Sequence, residues 1–232
     1  MFKVVSLKPI MVGIALVLIS VVLGVGVVQV VSMDAVPKTE YVVVIDAGHG
    51  GRDEGCSGQS GVSESEINLS IAKKLKADLE GLGIKVVMTR CDGNGLYKSN
   101  VDNYKKSDME ERVKIIESAS SDMVISIHCN SYADRSVCGA QVYYHEGDEV
   151  GKGFAEAVQS QLKAQLQNAR SEIGKGDYYL LKEANTPAII VECGYLTNLQ
   201  DEALLQTDDY QNRISYAIMC GIIKYFDLCG NG

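Results

Sequence analysis

Three short apolar runs in this chain each stop at one ionisable residue. They read Val42-Val43-Val44-Ile45-Asp46-Ala47-Gly48-His49, Met123-Val124-Ile125-Ser126-Ile127-His128 and Ala188-Ile189-Ile190-Val191-Glu192. Runs of Val and Ile suit strands buried on both faces, as in a parallel sheet covered by helices. In such sheets ligands gather in the crevice beyond the carboxyl ends of the strands. Three polar groups at three such ends can converge on one point, and two histidines with a carboxylate are the donor set of a catalytic zinc. A metal-dependent hydrolase on an α/β scaffold is therefore expected.

The rest of the chain fits that scaffold. A strand is predicted over 41–46, a Gly-rich loop over 48–61, a helix over 64–81 and a strand over 84–89. A polar loop, 91–107, leads to a helix over 108–120 and the strand 122–128. An alternating strand over 140–145 and a helix over 149–167 come next, then a turn and short strand around 177–181. The strand 188–192 and a closing helix over 209–226 complete the order. Strands alternating with helices predict a three-layer α/β domain with a mostly parallel or mixed sheet.

Ahead of this domain, Ile10 to Val31 form an uncharged stretch of about 22 residues. That length crosses the ~30 Å hydrocarbon core as a helix. Lys3 and Lys8 precede it, which orients the following chain to the outer face of the membrane. A cleaved signal peptide is the competing reading, although its apolar region usually spans only ~7–15 residues. The expected organisation is a signal anchor over 1–32, a linker over 33–40 and a catalytic domain over 41–228. The formal net charge is −8, and no basic patch of the kind nucleic-acid binding needs is present, which disfavours that class. Seven cysteines leave at least one unpaired in an exported monomer. Cys129 and Cys193 read as small buried thiols, while Cys56, Cys91 and Cys138 sit in expected loops where pairing is open.

A catalytic zinc needs a third ligand, and the helix after the Gly-rich loop offers Glu64 and Glu66. Ser63-Glu64-Ser65-Glu66 reads as a capping box, with Ser63 as N-cap and Glu66 reaching back to it. Glu64 instead shares the inward face of Ile67 and Ile71, where a carboxylate needs a partner and a cation supplies one. Glu64 is thus the better ligand beside His49 and His128. Glu192 closes an Ile-Ile-Val run and suits a general base; a structural salt bridge is its competing role. Asp46 either accepts the free imidazole N–H of His49 or stabilises the turn. Gly50 and Gly51 are expected to let metal and substrate approach His49. Asn130 reads as a loop-holding residue and His145 as a surface one.

Four ordered segments carry a family resemblance. Asp46-Ala47-Gly48-His49-Gly50-Gly51, Gly61-x-x-Glu64-x-x-x-Asn68-Leu69, Ser126-Ile127-His128-Cys129-Asn130-Ser131 and Val191-Glu192-Cys193-Gly194-Tyr195-Leu196-Thr197-Asn198 resemble the zinc-dependent N-acetylmuramoyl-L-alanine amidases of type 3. The resemblance covers nearly all of residues 41–226. It implies that His49, Glu64 and His128 bind Zn2+, that Glu192 is catalytic, and that a twisted sheet of about six strands lies between helices. Ala47 stands where the family usually has Pro, and Cys129 where it often has Ala. A short anchored chain without wall-binding repeats is similar to the spore-cortex amidases, which act in muramic-δ-lactam formation. The implied partners are peptidoglycan, the membrane through the anchor, and an accessory envelope protein.

Two other readings compete: a zinc peptidase cutting within the stem peptide, and a catalytically silent envelope-binding protein on the same fold. A silent protein is expected to have lost a ligand or Glu192, and this chain keeps all four. The loop 92–107, with Tyr97, Lys98, Tyr104, Lys105 and Lys106, reads either as a solvated loop or as a surface shaping substrate or partner choice.

Overall fold

A computed structural model describes residues 41–230. The expected anchor and linker, residues 1–40, lie outside the described residues.

In chain order the elements are β1 (Val42–Ala47), α1 (Glu64–Gly81), β2 (Lys85–Met88), α2 (Tyr104–Ala119), β3 (Met123–Asn130) and β4 (Gln141–Tyr144). They continue with α3 (Glu149–Gln165), β5 (Gly174–Lys175), α4 (Tyr179–Glu183), β6 (Ala188–Tyr195), α5 (Leu199–Leu205) and α6 (Asp208–Gly230). The six strands form one sheet in the order β2-β1-β3-β6-β4-β5. β2, β1, β3 and β6 run parallel to one another, and β4 returns antiparallel to β6. The sheet is therefore mixed, with the three long apolar runs as adjacent central strands.

Strand periodicity divides the central side chains between two layers. Val43, Ile45, Ile125, Ile127, Ile189 and Val191 meet the apolar stripes of α1, α3 and α6, through residues such as Ile71, Leu75, Phe154, Val158, Ile214 and Ile218. Val44, Val124, Ala188 and Ile190 face the other way, onto Ile116 of α2 and Leu180 and Leu181 of α4. Both faces are covered, so the central strands are continuously apolar instead of alternating. The same parity puts Asp46, Ser126, His128 and Glu192 on the α2/α4 side of the sheet. Asp46 lies beside Ser126, and His128 beside Glu192, in the strand register.

Several boundaries differ from the sequence expectation. α2 starts at Tyr104, inside the expected loop, because Asn103 caps it: its Oδ1 accepts from the Lys106 N–H at 3.0 Å. The turn and short strand expected around 177–181 are replaced by β5 at Gly174–Lys175 and the one-turn helix α4. α5 is an additional short helix, capped by Asn198, whose Oδ1 accepts from the N–H groups of Gln200 and Asp201. β4 ends at Tyr144, so His145 leaves the sheet; it is half-buried, not a surface residue. Cys56, Cys91 and Cys138 are all free, and Cys129 and Cys193 are buried thiols.

Candidate active site

The site forms where β1, β3 and β6 run out on one edge of the sheet. Beyond β1 the chain turns sharply: Gly48 donates its N–H to the Ile127 carbonyl at 3.0 Å, and His49 sits in the left-handed region at φ 62°. A side chain at position 48 has no room, since a Cβ there would lie 2.3 Å from the His128 ring. The absence of a side chain at Gly48 lets the two imidazoles come together, with centroids 4.9 Å apart in an edge-on arrangement.

Glu64 completes this group from the first turn of α1. Ser63 caps the helix, its Oγ accepting from the Glu66 N–H at 3.4 Å, and the exposed Glu66 points elsewhere. Glu64 is buried, and its Oε1 lies 2.9 Å from His128 Nδ1 and 3.2 Å from His49 Nε2. The Cys129 N–H and Asn68 Nδ2 also donate to Oε1, and the Cys56 N–H donates to Oε2 at 2.9 Å. Gly55 makes space for that carboxylate, because a Cβ there would stand 2.5 Å from Oε2. Burial alone raises the Glu64 pKa, but hydrogen bonds and charge from His128 and His49 outweigh it and hold the group well below the carboxylate range. One ligand atom each from His49, Glu64 and His128 falls within 4.8 Å of the other two.

Glu192 behaves in the opposite way. It is 7% exposed, and its Oε2 is buried without a hydrogen-bond partner. Burial pushes its pKa up to about 7; the charge of Glu64 adds to the rise, while His128 and His49 pull against it. The two buried carboxylates of the site are thus shifted in opposite directions, Glu64 towards its charged form and Glu192 towards its protonated one.

Sequence reasoning missed the frame that holds His49. Arg112 of α2 donates to Asp46 Oδ1 and Asp108 Oδ2, both at 2.6 Å, and to the carbonyls of Ala47 and His49 at 2.8 and 2.6 Å. Arg90, just after β2, donates to the carbonyls of Ala47 and Gly48 at 2.8 and 2.9 Å. The carbonyls of residues 47, 48 and 49 therefore all end on a guanidinium. Asp46 also accepts from Thr89 at 2.7 Å and Ser126 at 2.6 Å, so it serves this frame and does not touch His49. The partner of the imidazole is Asp53, whose Oδ2 is 2.9 Å from His49 Nδ1. Its signal was an acid four residues after His49 in a loop that folds back, with Gly50 and Asp53 bridged. Gly50 and Gly51 are also used differently from expectation. A Cβ at either would strike the Asn94 carbonyl or the Tyr97 hydroxyl, so they let the 92–97 loop pack close.

A cavity of about 280 Å³ opens beside the two histidines on the α2/α4 side, walled by Lys105, Met109, Tyr178 and Tyr179. Burial raises the thiols near the site: Cys129 and Cys193 go far up, and Cys56, whose Sγ points to the Cys129 carbonyl at 3.6 Å, is pushed to about 12.

Comparison with known proteins places the chain and its fold. The germination-specific N-acetylmuramoyl-L-alanine amidase of Bacillus subtilis (strain 168) is 29% identical over 196 residues, 83% of this chain and 82% of that protein. The CwlD amidase from Clostridioides difficile, solved in complex with the GerS lipoprotein, matches with a TM-score of 0.78 at 33% identity, covering 81% of this chain and 99% of that one. The catalytic domain of CwlV, an N-acetylmuramoyl-L-alanine amidase from Bacillus (Paenibacillus) polymyxa var. colistinus, matches with a TM-score of 0.72 at 33% identity, covering 81% and 98%. The Amidase_3 family model, described as N-acetylmuramoyl-L-alanine amidase, matches residues 43–224, and the chain belongs to that family of cell wall hydrolases.

Proposed function

We propose that this chain is a zinc-dependent amidase in which His49, Glu64 and His128 hold the ion and Glu192 carries the proton. The reaction is hydrolysis of the amide between N-acetylmuramic acid and the L-alanine of the stem peptide. The observation behind the reading is one arrangement: three donor atoms within 4.8 Å and, beside them, a buried carboxylate oxygen with no partner.

The donor chemistry fits zinc. Two imidazole nitrogens and one carboxylate oxygen are a borderline-soft set, and three protein ligands leave a position open for substrate. Asp53 fixes the His49 ring from its other nitrogen, as the outer partners of zinc-bound histidines do. Zinc held by His49, Glu64 and His128 would supply Lewis-acid chemistry for the scissile carbonyl. Glu192, buried on β6 and in register beside His128, takes the proton of the attacking water and returns it to the departing amine. Tyr178 and Tyr179 wall the cavity that receives the substrate.

The finer role is spore-cortex processing, with release of stem peptides ahead of muramic-δ-lactam formation. It is supported by the germination-specific relative and the CwlD neighbour. That neighbour was solved with a lipoprotein, which supports an accessory envelope protein as a partner here. Residues 10–31, preceded by Lys3 and Lys8, anchor the chain at the outer face of the cytoplasmic membrane in this reading.

Digestion of purified peptidoglycan by the full chain, with and without zinc, tests the activity. Products identified by mass should be intact stem peptides with a free L-alanine amine. Cleavage within the stem would favour a peptidase, and intact peptidoglycan a binding protein. Cell fractionation tests the location: the full-length mass belongs in membranes, and a soluble form beginning near Asp34 would replace the anchor by a cleaved signal.

A further inference from the structure

We propose that Lys105 reads the free α-carboxylate of the second stem-peptide residue, so that the enzyme distinguishes glutamate from its amidated form at that position. The inference rests on the amidase reading above.

Lys105 lies on the first turn of α2 and lines the cavity beside the histidines. The other basic residue lining this cavity is Arg112, which is buried and held by two carboxylates, while Lys98 and Lys106 do not line it. Lys105 is 62% exposed, and its one ion pair, to Asp53 Oδ1 at 3.1 Å, is of the weak solvent-facing kind that an incoming anion can share or displace. Asp53 does not depend on Lys105 alone, because its Oδ2 also engages His49 at 2.9 Å.

The spacing suits the substrate. Lys105 Nζ is separated from His49 Nδ1 by one carboxylate and two polar contacts, of 3.1 and 2.9 Å, which places it roughly 8 Å or less from the imidazole. An extended peptide advances ~3.3–3.6 Å per residue, so the α-carboxylate of the second stem residue falls about 7 Å from the scissile amide. That residue is a γ-linked glutamate, whose α-carboxylate is free or amidated. A charge-assisted bond from Lys105 forms only with the free acid.

The test compares peptidoglycan strands carrying stem glutamate with strands carrying the α-amide, digested by the full chain. The expected wild-type preference for the free acid in kcat/KM is about tenfold, the size of one such contact. Lys105→Met should bring the ratio close to one, Lys105→Arg should keep most of the preference, and Lys106→Met should leave the ratio as in wild type. Zinc content, measured on each variant, should not change. If Lys105→Met slows both substrates equally, Lys105 acts only through Asp53 and His49 and the proposal is overturned. Equal cleavage of both strands by the wild type overturns it as well, with the amidase reading intact. Cleavage of neither strand removes both.

Discussion

Arg112 donates its Nη2 to the carbonyl of His49 at 2.6 Å, and His49 is held at φ 62°, in the left-handed region. An L-residue pays for that conformation with steric strain, so something must hold it there. Arg112 does so while neutralising Asp46 and Asp108, and it is itself 1% exposed.

Replacing Arg112 by Gln should therefore damage stability and metal binding together. Removal of one partner from a buried ion cluster costs about 3–5 kcal/mol, because Asp46 is left charged and unpaired. Release of the His49 carbonyl should weaken zinc binding by about 10–100-fold, the range found for outer partners of metal ligands. Arg112→Lys keeps the charge but cannot reach three directions at once, and should fall between. Urea unfolding and zinc titration on the same preparations check both effects. Wild-type zinc affinity in a destabilised Arg112→Gln would separate the two roles and remove the positioning one.

Glu64 and Glu66 give a sharp contrast on one helix turn. Glu64→Ala removes the carboxylate shared by both histidines, and zinc should be lost from the purified protein. Glu66→Ala should keep the metal and cost no more than ~1 kcal/mol, since the cap is made by Ser63. Equal zinc loss in both variants would contradict this assignment.

Asp46 should leave a mark on acid stability. Its pKa falls from 3.8 to about 2: burial raises it, and Arg112, Ser126 and Thr89 together outweigh that effect. A depressed pKa means that the unfolded chain binds the proton more tightly. The stabilisation is therefore complete above pH 3.8 and is lost as pH falls through about 2. It amounts to about 2 kcal/mol. Asp46→Asn should be less stable at neutral pH and show a shallower decline between pH 5 and 2 in urea unfolding. An unchanged slope would place the acid sensitivity elsewhere.

The sequence disclosed the parts of this fold that depend on local pattern. Unbroken Val and Ile runs marked β1, β3 and β6, and their last residues marked the site edge. Ile67 and Ile71 were enough to separate Glu64 from Glu66. The missed features depend on contacts made at a distance. Asp46 and Arg112 are 66 residues apart, and nothing in either segment announces their pairing. The first turn of α2 buries nothing before Ser107, so Tyr104 to Lys106 read as a loop. β5 and α4 are too short, at two and five residues, for periodicity to register.

Glu192→Gln addresses the proposed chemistry most directly. Glutamine matches glutamate in size and can fill the same buried place, but it cannot take a proton from water. Glu192 needs no compensating charge in the fold, since its Oε2 is without a partner, so the substitution should not unfold the protein and should stabilise it slightly at alkaline pH. That sign follows from a pKa raised from 4.5 to about 7, which makes the ionised form unfavourable in the folded state as pH rises through that window. Amidase turnover should fall by roughly 10²–10⁴-fold, the usual contribution of a general base. Zinc content and peptidoglycan binding should stay at wild-type levels, because His49, Glu64 and His128 are untouched. Loss of zinc in Glu192→Gln would make Glu192 a fourth ligand, and wild-type turnover in the variant would show that the proton travels by another group.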